Sequence, residues 1–109
     1  MTHEEGMQVL AECRDRIDIL DRRILELLNE RTRIVEEIGR VKHHLDLPIY
    51  EPKRETEVFT NVTENNSGPL TPDGVKRVFE RIIDEMRTLQ HMRKLERQAA
   101  AGSAPDLVD

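Results

Sequence analysis

The chain contains 109 residues, of which 36% are charged and 3% aromatic, and its formal net charge at neutral pH is −5. This length is enough for one small domain. So much charge with so few aromatic side chains favours solvated helices over a sheet, and we therefore predict an all-α fold. The negative net charge argues against non-specific binding to nucleic acid or to an anionic membrane, but it does not exclude a local pocket for an anion.

Several functional classes lack their usual sequence signals. The chain has no apolar run long enough to span a bilayer and no signal-peptide pattern, so we expect a cytoplasmic protein. Cys13 is the single cysteine and falls among apolar positions, which predicts a buried, reduced thiol. The four histidines show no metal-binding spacing and have no cysteine neighbours, so we expect no metal and no other cofactor.

The first predicted helix carries the strongest pattern. Apolar residues recur in alternating steps of three and four, which predicts one buried stripe on a continuous helix over about residues 7–46, after a polar lead-in over residues 1–6. Arg31 is the one charged member of this stripe, and an arginine is rarely buried without a partner. Either Arg31 extends to solvent or an anion binds it. The stripe consists of Leu10, Cys13, Ile17, Leu20, Ile24, Leu27, Arg31, Ile34, Ile38, Val41 and Leu45.

The length of this helix predicts a second copy of the chain. About forty residues at ~1.5 Å each give a rod of roughly 60 Å. A compact domain of this size has a radius of gyration of only about 13 Å. The rest of one chain cannot cover such a stripe, so we predict a homodimer in which the long helices pack against each other, unless the helix is broken.

Two further helices follow. The second begins at Glu51-Pro52, with proline at the first helical position, and ends in the turn residues 65–69. The third, of medium length, opens with the capping sequence Thr71-Pro72-Asp73 and is predicted to fray after about Arg97. Residues 98–109 are expected to be a disordered tail.

A set of charged residues could bind a small anion. On a helical wheel the angular position of Lys42 is within ~20° of that of Arg31, so both lie on one face of the helix. They would place a cation at each end of the apolar surface between them. Arg14 lies too far along the same helix, but an antiparallel partner could supply its own copy. Arg54 and Glu55 begin the second helix, where the helix N-terminus favours an anion.

Gln90 interrupts the apolar face of the third helix and could donate a hydrogen bond to an ether or hydroxyl oxygen. Each of these polar residues could instead lie on a solvated face, and the residue pattern alone leaves both interpretations open. The sequence contains no convincing nucleophile, metal motif or phosphate-binding loop. An enzyme of this composition would therefore act by positioning and by electrostatic stabilisation.

Four segments together resemble the all-α class of chorismate mutases, and the likeness extends over about residues 7–97. It implies an intertwined homodimer of three-helix chains with shared active sites. It also implies the Claisen rearrangement of chorismate to prephenate, on the route to Phe and Tyr. The four segments are CRDRIDILD (13–21), LLNER (27–31), IGRVK (38–42) and PIYEPKRE (48–55).

The resemblance also implies a role for each candidate cation and for the glutamine. Arg14 would reach a substrate carboxylate from the other chain, whereas Arg31 and Arg54 would bind carboxylates within their own chain. Lys42 and Gln90 would bind the ether oxygen, on which negative charge grows as the C–O bond breaks.

Two carboxylates complete the implied site. Glu55 would accept the hydrogen bond of the ring hydroxyl, and Glu51 would contact the same region. Met86 departs from the family pattern, because relatives often carry a small or hydroxyl residue there. Residues 64–69 also resemble mutase domains fused to the first enzyme of the shikimate pathway, so we expect a free-standing version with a shikimate-pathway enzyme as a potential partner.

Three alternatives remain open at this point. Isochorismate pyruvate-lyases and aminodeoxychorismate mutases resemble the same pattern, but they tend to carry an apolar residue where this chain has Glu55, so we prefer chorismate. The chain could instead be a regulatory module that binds chorismate or prephenate. It could also be a helical dimerisation protein without a ligand.

Overall fold

The computed structural model describes residues 1–102, which form three α-helices. α1 spans His3–Leu45, α2 spans Pro52–Glu64 and α3 spans Pro72–Gly102. The described residues contain no strand. The predicted all-α chain with a long, a short and a medium helix is therefore confirmed. None of these three helices is both long enough and apolar enough to cross a bilayer.

The ends of α1 differ from the prediction for local reasons. The Thr2 hydroxyl accepts a hydrogen bond from the Glu5 N–H at 3.1 Å, so this N-cap starts the helix at His3 and shortens the predicted lead-in. At the other end Asp46 has a φ of 55°, and the Leu47 N–H donates to the Lys42 carbonyl at 2.8 Å. This left-handed cap ends α1 before Pro48 is reached.

α3 begins as predicted and ends later. The Thr71 hydroxyl accepts a hydrogen bond from the Gly74 N–H at 3.0 Å, which is the expected N-cap. The helix continues past Arg97 to Gly102. The remainder of the predicted tail, residues 103–109, lies outside the described residues.

The chain divides into two compact units, of which the first is Met1–Ile34. No residue of this unit is buried. The stripe side chains Ile17 and Ile24 are each 54% exposed, so the chain itself does not bury them. Cys13 is exposed together with the stripe, and the prediction of a buried thiol is wrong for the single chain.

The second unit begins at Val35 and contains the core. The part of α1 that belongs to this unit buries Val35, Gly39 and Lys42. Each of these follows a stripe residue by one position, which rotates the buried face by ~100° from the stripe. Ile38 on the stripe is exposed. α1 thus packs within the unit through one face and leaves the predicted stripe open. From α3, the buried side chains are Val75, Ile83 and Met86.

Candidate active site

An open cleft lies within the second unit, between the C-terminal part of α1, the turn that follows it and α3. Lys42 and Gln90, which the sequence analysis assigned to one ligand oxygen, both line it. The lining includes three cationic side chains, from Lys42, Lys94 and Arg97, and one carboxylate, from Asp46. This local balance suits an anion despite the net negative charge of the chain. The full lining is Gly39, Lys42, His43, Asp46, Leu47, Ile49, Gln90, Lys94 and Arg97.

Lys42 is the one charged residue that is buried among the described residues, at 9% exposure. Its ammonium donates to the Ile49 carbonyl at 2.9 Å and forms an ion pair with the Glu51 carboxylate. A buried ammonium requires such partners. The interpretation in which Lys42 extends to solvent is therefore wrong. A lysine has three N–H donors, and these two contacts leave one for a ligand.

Glu51 is the N-cap residue of α2, but its side chain makes no capping hydrogen bond. Its carboxylate is directed to Lys42 instead. The Glu55 N–H donates to the Glu51 carbonyl at 3.1 Å, so the two glutamates lie one helical turn apart on α2. The cap position thus couples the start of α2 to the buried ammonium of α1.

A guanidinium lies against Gly39 at the floor of the cleft. A Cβ placed on Gly39 would lie 3.6 Å from the Arg97 Nη2 and 4.0 Å from the Gln90 Cγ. The side chain of Arg97 therefore lies directly over α1, beside Gln90. Arg97 was not among the residues predicted from the sequence, although it follows Gln90 by two helical turns and so shares its face.

Glu55 has a strong partner that the sequence analysis also missed. The Arg87 Nη2 lies 2.7 Å from both carboxylate oxygens of Glu55. The Arg87 guanidinium also lies over the Tyr50 ring, with its carbon 5.1 Å from the ring centroid. Arg87 is one helical turn before Gln90, and this spacing was the available signal. The contact fixes the orientation of the carboxylate that was assigned to the ring hydroxyl.

Arg54 lies outside the lining of the cleft. Its side chain is 60% exposed, and its Nη1 lies 3.4 Å from a carboxylate oxygen of Glu57, one turn further along α2. This is an ordinary solvated pair on a helix surface.

Arg14 and Arg31 both belong to the first unit. Arg14 is exposed, whereas Arg31 is half-buried. Of the predicted site residues, the second unit thus brings Lys42, Glu51 and Gln90 together.

An ion pair holds α3 to α1 close to the cleft. The Arg93 Nε donates to the Glu36 carboxylate at 2.8 Å, and Arg93 also pairs with Glu96 at 3.1 Å. The hydrogen bond to Glu36, followed by that to Glu96, raises the pKa of Arg93. Arg93 is one turn after Gln90, so this contact fixes the segment of α3 that presents the amide.

Comparison with known proteins identifies one family. The family model described as chorismate mutase type II matches residues 13–91. The bifunctional chorismate mutase/prephenate dehydratase of Aquifex aeolicus is 34% identical over 88 residues, which cover 77% of this chain and 24% of that protein. The corresponding protein of Stutzerimonas stutzeri is 37% identical over 86 residues, which cover 74% of this chain and 24% of that protein. The chain thus spans about a quarter of the length of these curated relatives.

Shorter proteins match over most of their length. A chorismate mutase of Methanocaldococcus jannaschii is 27% identical over 77% of this chain and 86% of its own length. Among solved structures, chorismate mutase (form II) from Thermus thermophilus superposes with a TM-score of 0.74 and 38% identity. That match covers 75% of this chain and 93% of the Thermus chain.

Proposed function

We propose that this chain, which belongs to the chorismate mutase type II family, catalyses the rearrangement of chorismate to prephenate on the route to Phe and Tyr. The observation that carries the proposal is the pairing of a buried ammonium, Lys42, with an amide, Gln90, in one cleft. These are donors for an oxygen that becomes negative in the transition state.

The reaction needs charge stabilisation at one atom and the correct conformer of the substrate. As the C–O bond breaks, electron density moves onto the ether oxygen, and fixed donors stabilise it more in the transition state than in the ground state. The contacts of Lys42 with Ile49 and Glu51 hold its ammonium in place before substrate arrives. No proton transfer or covalent intermediate is required, which agrees with a cleft that offers cations and an amide.

The two carboxylates of chorismate must be held so that the ring and the side chain meet. We assign this task to Arg31 and Arg54 of one chain and to Arg14 of a second chain. Lys94 and Arg97 bring further positive charge to the cleft beyond Lys42, whose ammonium is paired with Glu51, and this charge favours an anionic substrate.

The proposed assembly is an intertwined homodimer. Its support is the exposed stripe on α1, whose side chains, such as Ile24, remain about half exposed in the single chain. A contiguous apolar face of this extent marks an interaction site. The buried face of α1 in the second unit is a different one, so both can be used at once. A cytoplasmic location and association with a shikimate-pathway enzyme remain predictions.

A direct assay tests the proposed reaction. The purified chain is incubated with chorismate and, separately, with isochorismate, and the products are identified by NMR. We expect prephenate from chorismate and no salicylate from isochorismate. Salicylate as the main product would assign a lyase instead. Tight binding of chorismate without turnover would favour a regulatory module.

A further inference from the structure

We propose that Arg87 determines which substituent the site accepts at the position of the substrate's ring hydroxyl. By compensating the charge of Glu55, Arg87 makes this carboxylate an acceptor for a neutral hydroxyl and disfavours an ammonium. The inference rests on the proposed function and on the role that the family resemblance implies for Glu55, which would accept the hydrogen bond of the ring hydroxyl.

The contact between the two residues is close and largely shielded. A single guanidinium nitrogen, Nη2, donates to both oxygens of Glu55 at 2.7 Å, and the side chains of Arg87 and Glu55 are only 31% and 23% exposed. The Tyr50 ring covers the guanidinium. Asp84, at 3.9 Å, is a more distant and mainly solvent-exposed partner. The cation–π contact and the charge-assisted hydrogen bonds to Glu55 both restrict the position of the guanidinium.

The pair changes what the carboxylate can bind. An isolated, partly buried carboxylate would attract an ammonium more strongly than a hydroxyl, because only the ammonium compensates its charge. Arg87 already compensates the negative charge of Glu55. An ammonium on the substrate would therefore be repelled by the nearby guanidinium. A carboxylate has about four lone-pair sites, so the two contacts from Nη2 leave room for one neutral O–H donor.

One feature of Arg87 separates it from an ordinary structural ion pair. Its Nε is buried and has no hydrogen-bond acceptor among the described residues. Buried donors are nearly always satisfied, so this exception requires an explanation, of which a role at the site is one. Arg87 is also one turn before Gln90 on the helix that lines the cleft.

The test compares two substrates in matched variants. The first substrate is chorismate, and the second is its analogue with an amine in place of the ring hydroxyl. Arg87→Met removes the charge, Arg87→Lys retains it, and Arg81→Met is the control. Arg81 lies on the same helix, is 76% exposed and pairs only with Glu85 one turn away among the described residues.

We expect Arg87→Met to shift the ratio of kcat/KM between the two substrates by about tenfold or more toward the amine. Arg87→Lys should keep most of the preference for the hydroxyl, and Arg81→Met should match the wild type. If Arg87→Met lowers kcat/KM equally for both substrates, the role of Arg87 is structural and the inference is wrong.

The folded state of each variant is checked by circular dichroism and by thermal unfolding. If Arg87→Met does not fold, Arg87→Gln replaces it, because glutamine retains a neutral donor to Glu55. An unchanged substrate ratio in that variant overturns the inference in the same way. The two proposals also fail differently. A wild-type chain without activity on chorismate contradicts the proposed function, whereas an active wild type whose preference does not depend on Arg87 contradicts only this inference.

Discussion

The two units of the chain use the same helix in different ways. Within Met1–Ile34, α1 buries no side chain and exposes its apolar stripe. Beyond Val35, the same helix buries the face of Gly39 and Lys42 in a unit that has its own core and its own cleft. α1 therefore presents two surfaces: the exposed apolar stripe, and a buried face whose residues each follow a stripe residue by one position.

The residues of the proposed site are divided between the two units. The second unit by itself brings together the groups that we propose for the chemical step, Lys42 and Gln90. The proposed carboxylate ligands Arg14 and Arg31 lie on the unit that exposes its apolar stripe. We infer that the donors for the ether oxygen are formed by the fold of one chain, whereas the substrate clamp is completed only when a second copy supplies Arg14.

Disrupting the stripe should have the largest effect. Ile24→Asp places a charge on the apolar face, and we expect loss of the dimer and of nearly all activity. Sedimentation velocity and the chorismate assay measure both. Ile19→Asp is the matched control, because Ile19 is 53% exposed, as Ile24 is 54%, but lies off the stripe. A monomeric, fully active Ile24→Asp variant would contradict the shared site.

Removing the buried ammonium should have the next largest effect. We expect Lys42→Met to lower kcat by about 10²- to 10³-fold with a smaller change in KM, because its donor acts mainly in the transition state. Glu51, which is 49% exposed, can hydrate after losing its partner, so the fold should persist. Lys76→Met, remote from the cleft on α3, serves as the control. Turnover unaffected by Lys42→Met would remove the main support for the proposed chemistry.

Arg31→Ala should act on binding more than on turnover. Loss of a charge-assisted contact to a substrate carboxylate is expected to raise KM by about 10- to 100-fold and to leave kcat less affected. Arg33→Ala is the control, because Arg33 is an exposed neighbour on the same helix. An unchanged KM would contradict the role of Arg31 in substrate binding. A wild-type chain that binds no chorismate, combined with higher stability of Arg31→Leu, would favour a dimerisation protein without a ligand.

The fold was largely predictable from the sequence because its signals are local. Prolines and capping residues such as Pro52 and Thr71 mark helix starts, and the stripe marks α1. The spacing of Arg87 from Gln90 indicated the face on which Arg87 lies, but not its partner Glu55, because that contact joins residues far apart in sequence through the packing of α2 on α3. The exposure of Cys13 was missed for a related reason. A pattern shows that a face is apolar, but it does not show whether its own chain covers that face.

The smallest effect is expected at Arg93, which ties α3 to α1 through Glu36. Arg93→Met should lower the free energy of unfolding modestly, and by less at high salt, because the pair is partly exposed. The pKa of Arg93 is raised, mainly by the hydrogen bond to Glu36. A base with a raised pKa contributes stability at every pH below its unfolded-state pKa, and this contribution is lost only as the pH rises through the folded-state pKa. For an arginine both values lie far above about pH 9, so the deficit of Arg93→Met in urea unfolding should be equal at about pH 6 and about pH 9. A deficit that vanishes between these two pH values would mean that a different group controls the junction of α1 with α3.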